Sequence, residues 1–118
     1  MNQQLGRETL LFIDFSCEAR ADGVQARMAL SGEIDTNNAD QVARVVATAL
    51  REHRPHRLSV DLSGVTFLGI AGVRALVAGR TQAERTGCAL RIDRPSRIAG
   101  RMLSLWEKCQ PRVRSPRP

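Results

Sequence analysis

The stretch from Asp61 to Val73 constrains the fold most, because it must change backbone conformation within a few residues. Arg57–Leu68 has the composition of a buried strand with a bend at Gly64. Gly69 and Gly72 follow immediately, and glycine permits the sharp turns that other residues resist. The pattern predicts a strand that runs directly into the start of a helix.

Three helices are predicted from apolar residues that recur at helical spacing. The first ends before Pro55, because a residue that precedes proline avoids helical geometry. The second runs from about Ile70 to Arg85 and stops at Gly87. The third starts near Pro95. The predicted inward residues are Val42, Val45, Val46, Ala49 and Leu50 in the first helix, Val73, Leu76 and Val77 in the second, and Ile98, Met102 and Leu105 in the third.

Two alternating segments flank the turn signal Asp22-Gly23 and predict an antiparallel hairpin. Ala89–Asp93 is predicted as a last short strand. Strands that are separated by helices pair in parallel through crossover connections. The sequence therefore predicts an α/β fold of order ββαβαβα, a mixed sheet with its helices packed on one face. The predicted inward residues of the hairpin are Leu11, Ile13, Phe15, Cys17, Val24, Ala26, Met28 and Leu30.

The length of 118 residues predicts one domain over 10–107, with an N-terminal extension over 1–9 and a disordered tail over 108–118. The net charge of +6 is concentrated in that Pro- and Arg-rich tail, since residues 1–107 hold 14 basic and 12 acidic side chains. Only three Phe and one Trp are present, so the aromatic residues on which single-stranded nucleic acids stack are scarce. We therefore expect no nucleic-acid partner.

Membrane, metal and catalytic functions are also not expected. The apolar runs are too short for a membrane span, and the N-terminus lacks a signal-peptide core, so we expect a cytoplasmic protein without direct membrane insertion. Cys17, Cys88 and Cys109 are spaced as free thiols, and His53 and His56 have no third ligand nearby. No catalytic constellation is evident. We expect neither a cofactor, nor a metal, nor an enzymatic activity.

Two motifs carry a resemblance to a known family. Gly32-Glu33-Ile34-Asp35 lies at the end of the second strand, and the Asp61–Gly72 run lies at the strand-to-helix turn, with a weaker echo in Arg94-Pro95-Ser96. Together they resemble STAS domains, the family of bacterial anti-sigma factor antagonists. In that family the strand that ends in Phe-Leu runs into Asp-Ser-Ser-Gly or Asp-Ser-Thr-Gly. The resemblance covers about Leu10 to Trp106 and implies the same fold.

The resemblance also implies a function in partner switching. In the family, the Gly-Glu-Ile-Asp loop and the start of the second helix dock on an anti-sigma factor, which is a kinase and phosphorylates the Ser or Thr. Here Gly69 stands at the acidic position, and Ile70 and Ala71 stand at the hydroxyl positions. This degenerate phosphosite cannot accept a phosphate. The implied partner-binding residues are Glu33, Asp35, Thr36, Asn37, Gly69, Ile70, Ala71, Gly72 and Arg74.

Several alternatives stay open on the sequence. Asp35 faces a partner, caps the first helix or does both, and Ile70 either contacts a partner or packs inward. The protein is an anti-sigma factor antagonist-like module, or a STAS subunit of a membrane lipid-transport ATPase complex, or a small-ligand or nucleotide sensor. Ser63 and Thr66 are the nearest remaining hydroxyls. The sequence specifies no oligomeric state.

Overall fold

Seven elements follow one another in a computed structural model that describes residues 10–109. In chain order they are β1 (Leu11–Arg20), β2 (Gly23–Ile34), α1 (Ala39–His53), β3 (Arg57–Leu68), α2 (Ile70–Arg85), β4 (Ala89–Asp93) and α3 (Arg97–Cys109). The predicted order is confirmed. The predicted extension over 1–9 and residues 110–118 of the predicted tail lie outside the described residues. Lys108 and Cys109 belong to α3, although the sequence placed the start of the tail at 108.

The four strands form one mixed sheet in the order β1-β2-β3-β4. β1 and β2 are antiparallel around the predicted turn, where Gly23 has φ of 128°. β2, β3 and β4 are parallel because a helix crosses between each consecutive pair. The predicted α/β class and mixed sheet are confirmed.

The core lies between one face of the sheet and the helices. Met28, Leu30 and Ile34 keep the two-residue period of a regular strand in β2. β3 departs from that period, because its pairing with β2 shifts after Ala29 and again after Gly32. Extra residues of this kind are β-bulges, which re-aim the side chains that follow. Leu58, Val60 and Leu62 keep the two-residue period and face inward, and the bulges bring Val65 and Leu68 inward as well but leave Phe67 exposed.

The inward face of α2 differs from the prediction at Val77, which is exposed. Its inward face includes Gly79, where an added Cβ would lie 3.1 Å from Val46 Cγ1 of α1. The two helices therefore approach closely over a glycine. The sequence prediction relied on large apolar residues and overlooked this glycine contact. For that reason it placed Val77 on the inward face.

The inward face of α3 is also rotated relative to the prediction. Ile98 and Leu105, which the sequence placed inward, are exposed, whereas Met102 does pack against the core. α3 has two overlapping apolar stripes, and only the packing against β3 and α2 decides between them. The stripe that packs inward is Ala99, Met102, Leu103 and Trp106.

Cys17 is exposed, although the sequence predicted it to face inward on the same side of β1 as Ile13 and Phe15. The last residue of α1, His53, packs against the ring of Phe15 at 5.2 Å between centroids. β1 thus continues past the end of the helix that covers it. Within the described residues, no helix combines the length and the apolar composition that a membrane crossing requires.

Candidate functional site

The turn that follows β2 and the start of α2 lie side by side at one end of the sheet. Ile34 and Leu68 are paired at the ends of β2 and β3, and the N–H of Gly69 donates to the carbonyl oxygen of Ile34 at 2.8 Å. An added Cβ at Gly72 would lie 2.7 Å from both Ile34 Cγ2 and Leu68 Cδ1. Packing leaves no space for a side chain at Gly72. This contact fixes α2 against both strands.

The carboxylate of Asp35 lies against Gly69. An added Cβ at Gly69 would be 2.6 Å from Asp35 Oδ1. The same oxygen accepts a long hydrogen bond of 3.5 Å from the hydroxyl of Thr36. No side chain caps α1, so the alternative in which Asp35 caps that helix is wrong. Asp35 instead holds its negative charge beside the first residues of α2.

Asn38 fixes the shape of the turn. It is buried, and its side-chain amide donates to the carbonyl of Glu33 at 2.9 Å. Its side-chain oxygen accepts the N–H of Asp35, also at 2.9 Å. Both bonds point backward into the turn rather than forward into α1. Asn38 immediately precedes α1 but its side chain does not cap that helix, and its role depends on a fold of the turn that composition does not encode.

Apolar side chains are exposed in the middle of this surface. Ile70, the first residue of α2, is 50% exposed, so the alternative in which it packs inward is wrong. Phe67 is 45% exposed, and its Cε2 would lie 3.4 Å from a Cβ at Gly69. Sequence reasoning missed Phe67 because it treated the whole of β3 as buried. The bulge that pairs Phe67 with Glu33 gives that ring its exposure.

The remaining residues of the predicted surface surround these apolar side chains. Glu33 is exposed near the end of β2, Thr36 and Asn37 are exposed on the turn, and Ala71 is half-buried. Arg74 is exposed one turn further along α2, where its guanidinium carbon lies 6.0 Å from the centre of the Trp106 ring. That distance is at the outer limit of a cation–π contact. Arg74 is therefore oriented toward α3.

Neither of the nearest hydroxyls lies at the start of α2. Ser63 and Thr66 are both exposed, and both belong to β3. The hydroxyl of Thr66 donates to the carbonyl of Gly32 at 3.2 Å, which ties it to β2. The start of α2 itself presents Gly69, Ile70 and Ala71, and no side chain caps it.

Asp61 supports the strand that leads to this surface. Its carboxylate is buried, forms an ion pair with Arg27 at 2.5 Å, and accepts the backbone N–H of Ser63 at 2.8 Å. The hydrogen bonds from Ser63, followed by the positive charges of Arg27 and Arg94, hold the pKa of Asp61 below its usual 3.8, although burial opposes them. The ionised carboxylate therefore stabilises the bend before Gly64.

Comparison with protein families gives a match over most of the chain. A family model described as "Mlab, STAS domain" matches residues 17–108, a span that includes both sequence motifs. A search of curated proteins gave no sequence match.

Solved structures show the same fold. The structure of the anti-sigma factor antagonist SpoIIAA in its unphosphorylated form superposes with a TM-score of 0.65 at 16% identity, over 80% of this chain and 81% of that one. An anti-sigma factor antagonist from Mycobacterium paratuberculosis gives 0.57 at 26% identity, over 85% and 84%. An antisigma-factor antagonist STAS domain from Rhodobacter sphaeroides gives 0.54 at 22% identity, over 68% and 84%.

Proposed function

The chain belongs to the STAS domain family, and from this premise we propose that it is an anti-sigma factor antagonist-like interaction module. It acts in the cytoplasm of a bacterium and regulates transcription by binding an anti-sigma factor of the serine kinase type. The similarity to antagonists of anti-sigma factors supports this class of partner. The module binds and does not catalyse.

One observation carries the proposal: an acidic turn and an exposed apolar helix start are held together as one surface. Asp35 lies against Gly69, and Ile70 and Phe67 are about half exposed beside them. Apolar anchors at the centre of a polar rim are typical of residues that dominate binding free energy. The hydrogen bonds of Asn38 and the packing of Gly72 hold this surface in shape before a partner arrives.

The proposed module is not switched by phosphorylation at the start of α2. Phosphorylation would add about two negative charges, which disrupt an interface that is already acidic. Ile70 and Ala71 have no hydroxyl to accept the phosphate. The partner therefore meets a surface that stays in its unmodified form, and the antagonist acts constitutively.

The test is calorimetric titration of the full chain with the anti-sigma kinases of the same genome. Ile70→Ala should weaken binding about tenfold or more, because the loss of a central apolar anchor costs upwards of about 1 kcal/mol. Ile98→Ala is the matched control, since Ile98 is 48% exposed and lies on α3. Its affinity should equal that of the unmodified chain. If none of the kinases binds, this function is excluded.

Phosphorylation is tested on the same complex. After incubation with the bound kinase and ATP, the intact mass of the chain should not change and the complex should persist. A mass increase of one phosphate that maps to Ser63 or Thr66 would show that another hydroxyl has taken over the switch.

A second candidate is a STAS subunit of a membrane lipid-transport ATPase complex. The absence of a hydroxyl at the start of α2 suits a permanent subunit, which needs no phosphate switch. The matching family model is also described by the word Mlab and not by a sigma factor. Affinity capture from the native host separates the two candidates. Recovery of a transporter ATPase would support the second, provided that the Ile98→Ala chain captures as much of it as the unmodified chain and the Ile70→Ala chain captures less.

A further inference from the structure

β1 is a long edge strand with an open side. It extends over ten residues and pairs with β2 without any break in register. The N–H of Glu33 donates to the carbonyl of Leu10 at 2.9 Å, so the even-numbered residues of β1 bond to β2. The odd-numbered residues turn their N–H and C=O groups to the open side, and within residues 10–109 these groups have no hydrogen-bond partner. They are Leu11, Ile13, Phe15, Cys17 and Ala19.

This edge lacks most of the devices that keep sheet edges apart. Proteins protect edges with proline, with charged side chains and lysine above all, with a bulge, with an inward charge or with a very short strand. β1 has no proline, lysine or bulge, and its charged residues all point away from the helices. The opposite edge of the sheet, β4, has only five residues. The exposed edge of β1 is thus a template for another strand.

An apolar groove accompanies the open edge. It has a volume of about 370 Å³ and lies between Phe15 of β1 and a face of α1 that includes Val45, Thr48 and Ala49. No residue of β2 lines it, so it opens beyond β1 rather than beneath the sheet. The side chains of an added strand that face the helices would enter this groove. Without an added strand, Phe15 is only half-buried.

We propose that the added strand is β1 of a second copy of this chain, antiparallel and centred on Cys17. Charge and length decide the register. A pairing centred on Ala19 opposes Glu18 to Arg20 but joins only residues 18–20 of β1. A pairing centred on Asp14 opposes Asp14 to itself, and one centred on Ser16 opposes Asp14 to Glu18. A pairing centred on Phe15 brings Asp14 and Glu18 of both copies together with no basic residue opposite them. The pairing centred on Cys17 places Asp14 opposite Arg20 of the second copy, twice.

The proposed interface joins residues 14–20 of both copies. Phe15, Cys17 and Ala19 then exchange six backbone hydrogen bonds, and Phe15 lies opposite Ala19 of the second copy. In the single chain Arg20 forms an exposed ion pair with Glu18 at 3.2 Å. An exposed pair of this kind contributes little, so the side chain is free to turn to Asp14 of the second copy.

The dimer leaves the partner-binding surface open. Residues 14–20 pair with the half of β2 that starts at Gly23, whereas the acidic turn follows the other end of β2. Each dimer would therefore present two copies of that surface. This inference does not depend on the proposed partner, because it rests on the edge of β1 alone.

The test is a charge exchange followed by sedimentation equilibrium of the full chain. Asp14→Arg and Arg20→Asp should each weaken dimerisation about tenfold or more, because each creates two like-charge contacts. The double variant restores opposite charges and should return the dimer constant to within about threefold of the unmodified chain. Asp22→Arg, in the exposed turn, is the control for the change of net charge and should have no effect.

A second measurement reports the register directly. In a Cys109→Ser chain, Cys17 is the one exposed thiol of the described residues, since Cys88 is buried. A short bis-maleimide should cross-link two chains through Cys17, and Asp14→Arg should abolish the product. A monomeric mass up to about 1 mM, the range of weak interfaces, overturns the proposal. A dimer that persists in both the Asp14→Arg and the Arg20→Asp chains also overturns the proposal, because it must form through another surface.

Discussion

At the scale of single residues, the two glycines of the strand-to-helix turn have different structural reasons. Gly69 has φ of −87° and ψ of 173°, a conformation open to any residue, and its close neighbour is the mobile end of Asp35. Gly72 faces the core, where the side chains of Ile34 and Leu68 stop any Cβ. Another residue can therefore replace Gly69, and the fold does not depend on the acidic residue that the family has at this position. Gly72 is required by packing.

We predict opposite outcomes for alanine at these two positions. Gly72→Ala should lower the free energy of unfolding by about 1–3 kcal/mol, because it overpacks a core contact. Gly69→Ala should cost less than about 1 kcal/mol, since the Asp35 carboxylate can rotate away. Urea denaturation of both variants measures the difference. Equal losses would mean that the helix start is not packed as described.

At the scale of elements, α3 shows how a helix with two apolar stripes chooses one. Ile98, Met102 and Leu105 have helical spacing, and so do Ala99, Met102, Leu103 and Trp106. The second stripe packs inward against the core, and the N–H of Ser96 donates to the carbonyl of Leu62 at 3.1 Å, which ties the chain before α3 to β3. Local periodicity contains both solutions. Contact with β3 selects one.

Two leucines of α3 give a matched test of that choice. Leu103→Ala should lower the free energy of unfolding by about 2 kcal/mol, because Leu103 packs against the core. Leu105→Ala should change it by less than about 0.5 kcal/mol, as expected for an exposed site. Chemical denaturation decides between the stripes, and a larger loss at Leu105 would restore the face predicted from the sequence.

At the scale of the whole molecule, one hydrophobic core joins the sheet to all three helices. We therefore expect the interior to become accessible to reagents only when the protein unfolds. Cys88 reports on this directly. It follows α2, and its thiol is buried between that helix and the start of β4. Burial raises the pKa of this thiol above its usual 9.0, which lowers the fraction of reactive thiolate.

Thiol labelling should therefore separate Cys88 from the other two cysteines. Cys17 and Cys109 are exposed and should react with a thiol reagent at once at pH 8, whereas Cys88 should react only at the rate of opening of the core. Addition of urea through the unfolding transition should release the third thiol. A Cys88→Ser chain is the control, and it should show two fast thiols and no slow one. Three fast thiols in the unmodified protein would contradict a closed core.

The element order, the mixed sheet and the turn at Gly69 were predictable from the sequence alone, because periodicity, turn chemistry and crossover rules act locally. The sequence also identified the segments that meet at the candidate surface. Three outcomes needed the folded structure: which face of α2 and α3 packs inward, how Asn38 fixes the turn, and the exposure of Ile70 and Phe67. Those outcomes depend on contacts between residues distant in the chain, such as Gly79 with Val46, and no local pattern encodes them.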